Sequence, residues 1–130
     1  MKNPDELKAS EAKIAILEES AENIYSMKFI LQSLGYEVHA WVAGKGYLKD
    51  LVDFDPAVVL VDMLMPSDTG LILISELRRS PLKDVAIVAV TAEAVPISDD
   101  ELREAGVNDI LTKPYTVADL QESLNRHIKS

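Results

Sequence analysis

The sequence predicts a doubly wound α/β fold, a five-stranded parallel sheet with five helices, and three observations predict it. Short apolar runs alternate with segments of helical period along the chain. Two of those runs, Ala57-Val58-Val59-Leu60-Val61 and Val85-Ala86-Ile87-Val88-Ala89-Val90, are continuous rather than alternating, as strands covered on both faces are. Most runs stop on a polar or charged residue, and the middle one stops on a single acid, Asp62. At 130 residues and 48% hydrophobic content the chain is sized for one domain with one core.

Lys13-Ile14-Ala15-Ile16-Leu17 reads as the first strand, stopping at Glu18-Glu19, and Ser20 suits the N-cap of the helix that follows. Ile24, Met27, Ile30, Leu31 and Leu34 recur there at helical spacing until Gly35, a natural stop. Tyr36 to Trp41 is the second strand. A less regular helix runs from Gly46 to Phe54, and Pro56 restarts the chain in the strand that ends at Asp62. The third helix spans about Leu71 to Arg79 before Pro81, with Ile72 read as ordinary helix packing. The fourth strand ends at Thr91. Ser98 and Glu101 form a capping box for a short helix that ends at Gly106, and Asn108 to Thr112 makes a fifth strand before Lys113-Pro114. Thr116 caps a last helix whose Val117, Leu120, Leu124 and Ile128 form one apolar stripe. Residues 1 to 12 read as a polar extension, and His39 and His127 as a strand-surface and a last-helix residue without assigned roles.

Composition excludes several classes. Thirteen basic against 22 acidic residues leave a net charge of −9, which opposes a phosphate backbone and argues against a nucleic-acid partner. With no cysteine and two histidines, neither disulfides nor a thiolate or histidine-rich zinc site is available. No apolar run approaches the ~20 residues that span a bilayer, and the first residues are polar rather than signal-like, so a cytoplasmic protein without membrane insertion is expected.

In a parallel sheet all carboxyl ends lie on one edge, where ligands bind. Glu18, Glu19, Asp62, Thr91 and Lys113 should therefore converge there despite their separation in the chain. Three carboxylates against one ammonium repel one another unless a cation joins them. With oxygen ligands alone, magnesium fits better than zinc. A metal, a lysine and a hydroxyl donor are the parts that neutralise a transferring phosphoryl group, and a carboxylate among them can act as the nucleophile. The chemistry that follows is phosphorylation of an aspartate.

These residues resemble the response-regulator receiver domain, the phosphoacceptor of two-component signalling. The resemblance rests on the acidic pair Glu18-Glu19, Asp62-Met63-Leu64-Met65-Pro66 with Gly70, Val90-Thr91-Ala92, Ala105-Gly106-Val107-Asn108-Asp109 and Leu111-Thr112-Lys113-Pro114. It covers residues 13 to 130 and implies a flavodoxin-like sheet of strand order 2-1-3-4-5. It also implies that Asp62 accepts the phosphoryl group, that Glu18, Glu19, Asp62 and the Leu64 carbonyl hold Mg2+, that Thr91 contacts the phosphoryl oxygens and that Lys113 pairs with Asp62. The implied partners are a histidine kinase or histidine phosphotransfer protein and a downstream protein target. Because residues 13 to 130 complete the fold, a single-domain form is expected, a phosphoacceptor rather than a turnover enzyme.

The chain departs from the family pattern at three places. Both acids of the pair are glutamates where the family has aspartates, Ile110 stands where an aromatic switch residue is usual, and Asp68-Thr69-Gly70 replaces the common Met-Asp-Gly turn. The glutamates and Ile110 keep open an alternative, a pseudo-receiver that binds partners with weak or absent phosphorylation. An aspartate-nucleophile phosphatase is disfavoured, since Leu64 occupies the place of that family's second aspartate. Leu64 and Glu93 flank the path of hydrolytic water in receivers, and an apolar Leu64 implies a long-lived phosphorylated form.

Overall fold

The computed structural model describes residues 12–18, 21–42, 46–64 and 69–128, and in residues 21–25 the backbone only. Strands β1 (Lys13–Glu18), β2 (Glu37–Val42), β3 (Val58–Asp62), β4 (Ala86–Ala92) and β5 (Asp109–Lys113) alternate with helices α1 (Ala21–Ser33), α2 (Tyr47–Phe54), α3 (Thr69–Arg78), α4 (Asp99–Ala105) and α5 (Val117–His127). The sheet is parallel throughout, in the order β2-β1-β3-β4-β5. The predicted fold class and strand order are both observed.

The continuous apolar strands are resolved into two faces by the pleat, which sends successive side chains to opposite sides. Ala15 and Leu17 of β1, Val59 and Val61 of β3, and Ile87 and Ala89 of β4 join Leu51, Leu73, Ile74, Leu77 and Leu102 in the core beneath α2, α3 and α4. Ile14 and Ile16, Val58 and Leu60, and Val88 and Val90 join Met27, Leu31, Leu120 and Leu124 beneath α1 and α5. Each fully buried leucine or isoleucine is worth roughly 1.5–3 kcal/mol, and both layers depend on the same three central strands.

Local signals place the helix ends. The Ser98 hydroxyl accepts from the Glu101 amide at 3.1 Å while the Glu101 carboxylate accepts from the Ser98 amide at 3.2 Å. Thr116 and Asp119 make the same reciprocal pair at the start of α5, at 3.0 Å each way. Gly106 ends α4 at φ 114, a left-handed conformation that a residue with a Cβ resists.

Three expectations change. Ile72 is half exposed rather than packed, because the buried face of α3 is filled by Gly70, Leu73, Ile74 and Leu77. Val117 is likewise exposed, at the first turn of α5 before that helix meets the sheet; only Leu120, Leu124 and Ile128 of the stripe reach the core. Strands β4 and β5 run one residue further than expected, since their pairing continues through Thr91 with Thr112 to Ala92 with Lys113. Ser20, the expected cap of α1, and residues 1–11 of the expected extension lie outside the described residues. Ala12, which was counted with the extension, packs against the α1–α5 core, and its carbonyl accepts from the Glu37 amide at 3.2 Å. His39 is exposed on β2 as expected, stacked on Phe54 with ring centroids 4.5 Å apart.

Candidate functional site

Four of the five strand-end residues are described, and the sheet order sets them side by side. Glu18 is the last residue of β1, Asp62 the last of β3, Thr91 the last but one of β4 and Lys113 the last of β5. Asp62 aligns with Val90, so Thr91 stands one step beyond it on the next strand, and Lys113, aligned with Ala92, stands one step beyond that. Glu18, Asp62 and Thr91 are buried, at 5%, 3% and 5% exposure, whereas Lys113 is half-buried. Three polar side chains are thus withdrawn from water at one edge of an otherwise apolar sheet. Glu19, the second acid of the expected pair, lies outside the described residues.

The turn after β3 orients the Asp62 carboxylate. The Met63 amide donates to the Val90 carbonyl at 2.8 Å, carrying the ladder one residue past the strand, and the Leu64 amide then folds back to donate to Asp62 Oδ1 at 2.8 Å. The second oxygen, Oδ2, is buried without a hydrogen-bond partner. It is the one such side-chain atom among the described residues. No ion pair joins Lys113 to Asp62 among the described residues, so the pairing implied by the resemblance is not made in this structure.

A buried carboxylate oxygen without a donor costs on the order of 1–3 kcal/mol, and a cation or an incoming electrophile would offset that cost. The donors at this edge are oxygens, the class magnesium prefers. Among the described residues no group of three or more acids and histidines forms a cage. Magnesium needs none, because it is typically held by one or two carboxylates and keeps several waters. The orphaned oxygen beside a second buried acid therefore fits that ion.

Two neighbours of the site were not singled out by sequence reasoning. Met63 is 3% exposed and belongs to the α2–α4 core, and the apolar run that continues past Asp62 was the available signal. Tyr115, two residues after Lys113, packs against the α1–α5 core; burial and, secondarily, the charge of Asp62 push its phenol up from the usual value. Ile110 packs partly buried against the opposite core.

With this geometry in place, comparison with known proteins decides the family. The response regulator receiver domain family matches residues 14–125. The chain belongs to this family. It is 33% identical over 116 residues, 88% of its length, to the tetrathionate response regulatory protein TtrR of Salmonella typhimurium. It spans 55% of that relative, and 16% and 27% of two further curated relatives that it matches. Among solved structures, the chemotaxis protein CheY4 of Vibrio cholerae superposes with a TM-score of 0.79 at 27% identity, covering 91% of this chain and 99% of that one. The receiver domain of a sensor histidine kinase from Pseudomonas aeruginosa PAO1 superposes with a TM-score of 0.80 at 30% identity, covering 92% and 99%, and was solved with a magnesium ion coordinated in its active-site cleft. This receiver domain of two-component signalling has, among its described residues, no helix long and apolar enough to cross a membrane.

Proposed function

We propose that Asp62 is the phosphoacceptor of this receiver, taking a phosphoryl group from a histidine kinase or histidine phosphotransfer protein and passing the signal on by docking to a protein target. The observation that carries the reading is the asymmetry of the Asp62 carboxylate: Oδ1 is held by the Leu64 amide while Oδ2 is buried and unpartnered at the ligand-binding edge. In the reaction an Asp62 oxygen attacks phosphorus, a P–O bond forms as the P–N bond to the donor imidazole breaks, and the imidazole leaves with the electron pair. The Thr91 hydroxyl donates to a phosphoryl oxygen, and the Lys113 ammonium, unpaired with Asp62 in this state, closes on the added charge. Magnesium, when bound, neutralises phosphoryl charge; Glu18, Glu19, Asp62 and the Leu64 carbonyl are the groups that would hold it. The protein acts here as a phosphoacceptor in the cytoplasm rather than as a turnover enzyme.

Incubation with magnesium and acetyl phosphate, followed by intact-mass measurement, tests the assignment. Wild type gains about 80 Da and Asp62→Asn gains nothing, because an amide is not a competent nucleophile. An adduct that survives in Asp62→Asn places the acceptor elsewhere. A second reading, an interaction module with little phosphotransfer, is favoured by the glutamates at residues 18 and 19 and by Ile110; a wild type that stays unmodified over hours selects it.

A further inference from the structure

Gly70 sits in the first turn of α3, where glycine weakens a helix relative to alanine. Its place is explained by a close approach. A Cβ at residue 70 would lie 2.7 Å from both Cε and Sδ of Met63 and 3.6 Å from the Met63 Cα. The Met63 thioether therefore lies flush on the α3 backbone. The two close atoms are the far end of a flexible side chain, but that side chain is 3% exposed and packed in one cluster with Leu73, Ile74 and Leu77, so any shift it makes is taken up within the core. Met63 is also the residue between Asp62 and Leu64, and its amide is tied to Val90. The seat of its side chain thus bears on the turn that brings the Leu64 amide to Asp62 Oδ1 and leaves Oδ2 without a partner.

We infer that Gly70 is a positioning residue for Asp62, acting through Met63: the bare helix backbone at residue 70 seats the thioether, and the seated thioether holds the turn that ties one carboxylate oxygen and leaves the other free. This rests on the reading of Asp62 as the phosphoacceptor. A methyl group at residue 70 displaces the thioether, the chain at Met63 shifts with it, and the carboxylate leaves its reactive orientation. Misplacement by a fraction of an ångström to an ångström is enough to slow a positioned reaction many-fold.

The experiment follows phosphorylation of the full chain by acetyl phosphate and magnesium, by intact mass against time and donor concentration. It compares wild type, Gly70→Ala, Met63→Val and the double variant, with thermal unfolding of each. Gly70→Ala lowers the rate at saturating donor about 10-fold and leaves the half-saturating donor concentration unchanged. In the Met63→Val background, where the sulfur and its methyl are gone, the same substitution changes the rate less than 3-fold. A purely structural role would move the unfolding temperature without that split and without that dependence on residue 63. Should Gly70→Ala fail to fold, Met63→Val against the double variant still decides: equal rates support the inference, and a fall of 10-fold overturns it. If wild type is phosphorylated and Gly70→Ala matches it, Gly70 does not position the acceptor although Asp62 still accepts. If wild type takes up no phosphoryl group, the acceptor reading fails and this inference with it.

Discussion

The two edges of the sheet treat their polar groups in opposite ways. At the amino edge no buried side-chain polar atom of the described residues lacks a hydrogen-bond partner. The Arg78 guanidinium donates from Nε and Nη2 to the Gly106 carbonyl at 3.0 and 2.7 Å, and from Nη1 to the carbonyls of Lys83 and Val85 at 2.8 and 2.7 Å. Its Nη2 also donates to Asn108 Oδ1 at 2.8 Å, an oxygen that accepts from the Ile87 amide as well. One planar cation thereby joins the end of α3, the loop before β4 and the turn between α4 and β5. Beside it, Asp109 Oδ2 accepts from the Ser123 hydroxyl at 2.8 Å and from Arg126 Nη2 at 2.8 Å, and lies 3.2 Å from His127 Nε2. At the carboxyl edge, by contrast, Asp62 keeps a buried oxygen with no partner. The lesson is that the amino edge spends its polar groups on holding the fold together, while the carboxyl edge leaves one in deficit, available for chemistry.

The largest effect expected from breaking this contrast is at Arg78. Arg78→Met keeps the aliphatic stem and removes the guanidinium hydrogen bonds, leaving part-buried carbonyls at Val85 and Gly106 without those donors. Urea denaturation should give a loss of about 3 kcal/mol. The rate of Asp62 phosphorylation in the folded fraction should stay unchanged. A fall in that rate beyond 3-fold would mean that the edges are not separable.

The next effect is at Asp109 and depends on pH. Burial raises its pKa, but hydrogen bonds from Arg126, Ser123, the Ile110 amide and His127 together outweigh burial and hold the carboxyl down at about 2, against 3.8 for the free group. A carboxyl depressed on folding stabilises the folded state above its unfolded pKa, and that contribution is lost as pH falls through the folded value. Asp109→Asn should therefore cost about 1–2 kcal/mol at pH 7, allowing for the solvent exposure of Arg126. The gap from wild type should close between pH 4 and pH 2 in acid-unfolding curves. A gap that persists at pH 2 would trace the stabilisation to shape rather than charge.

The smallest effect has the opposite sign. Without magnesium, Asp62→Asn removes a buried negative charge from the edge in deficit, so thermal or urea unfolding should register a gain of about 1 kcal/mol. Asp62→Asn coming out less stable than wild type would show that the carboxylate is already compensated, and the contrast between the edges would be lost.

Much of this protein was legible along the chain. The continuous runs at Val58–Val61 and Ile87–Val90 carried the parallel sheet, because only strands covered on both faces can be apolar at every position. The capping residues Ser98 and Thr116 were readable because a cap and the amides it satisfies lie within one turn of helix. Asp62, Thr91 and Lys113 were readable as strand-end residues because a parallel sheet sends all such ends to one edge. Period, capping and strand direction are short-range properties, and the sequence states them directly. The exposure of Ile72, the tie on one oxygen of Asp62, the seat of Met63 on Gly70 and the reach of Arg78 to Gly106 were decided by tertiary structure alone. Each depends on which helix face meets the sheet, or on a side-chain rotamer chosen by its surroundings. Such choices follow from packing between segments far apart in the chain, and no local pattern encodes them.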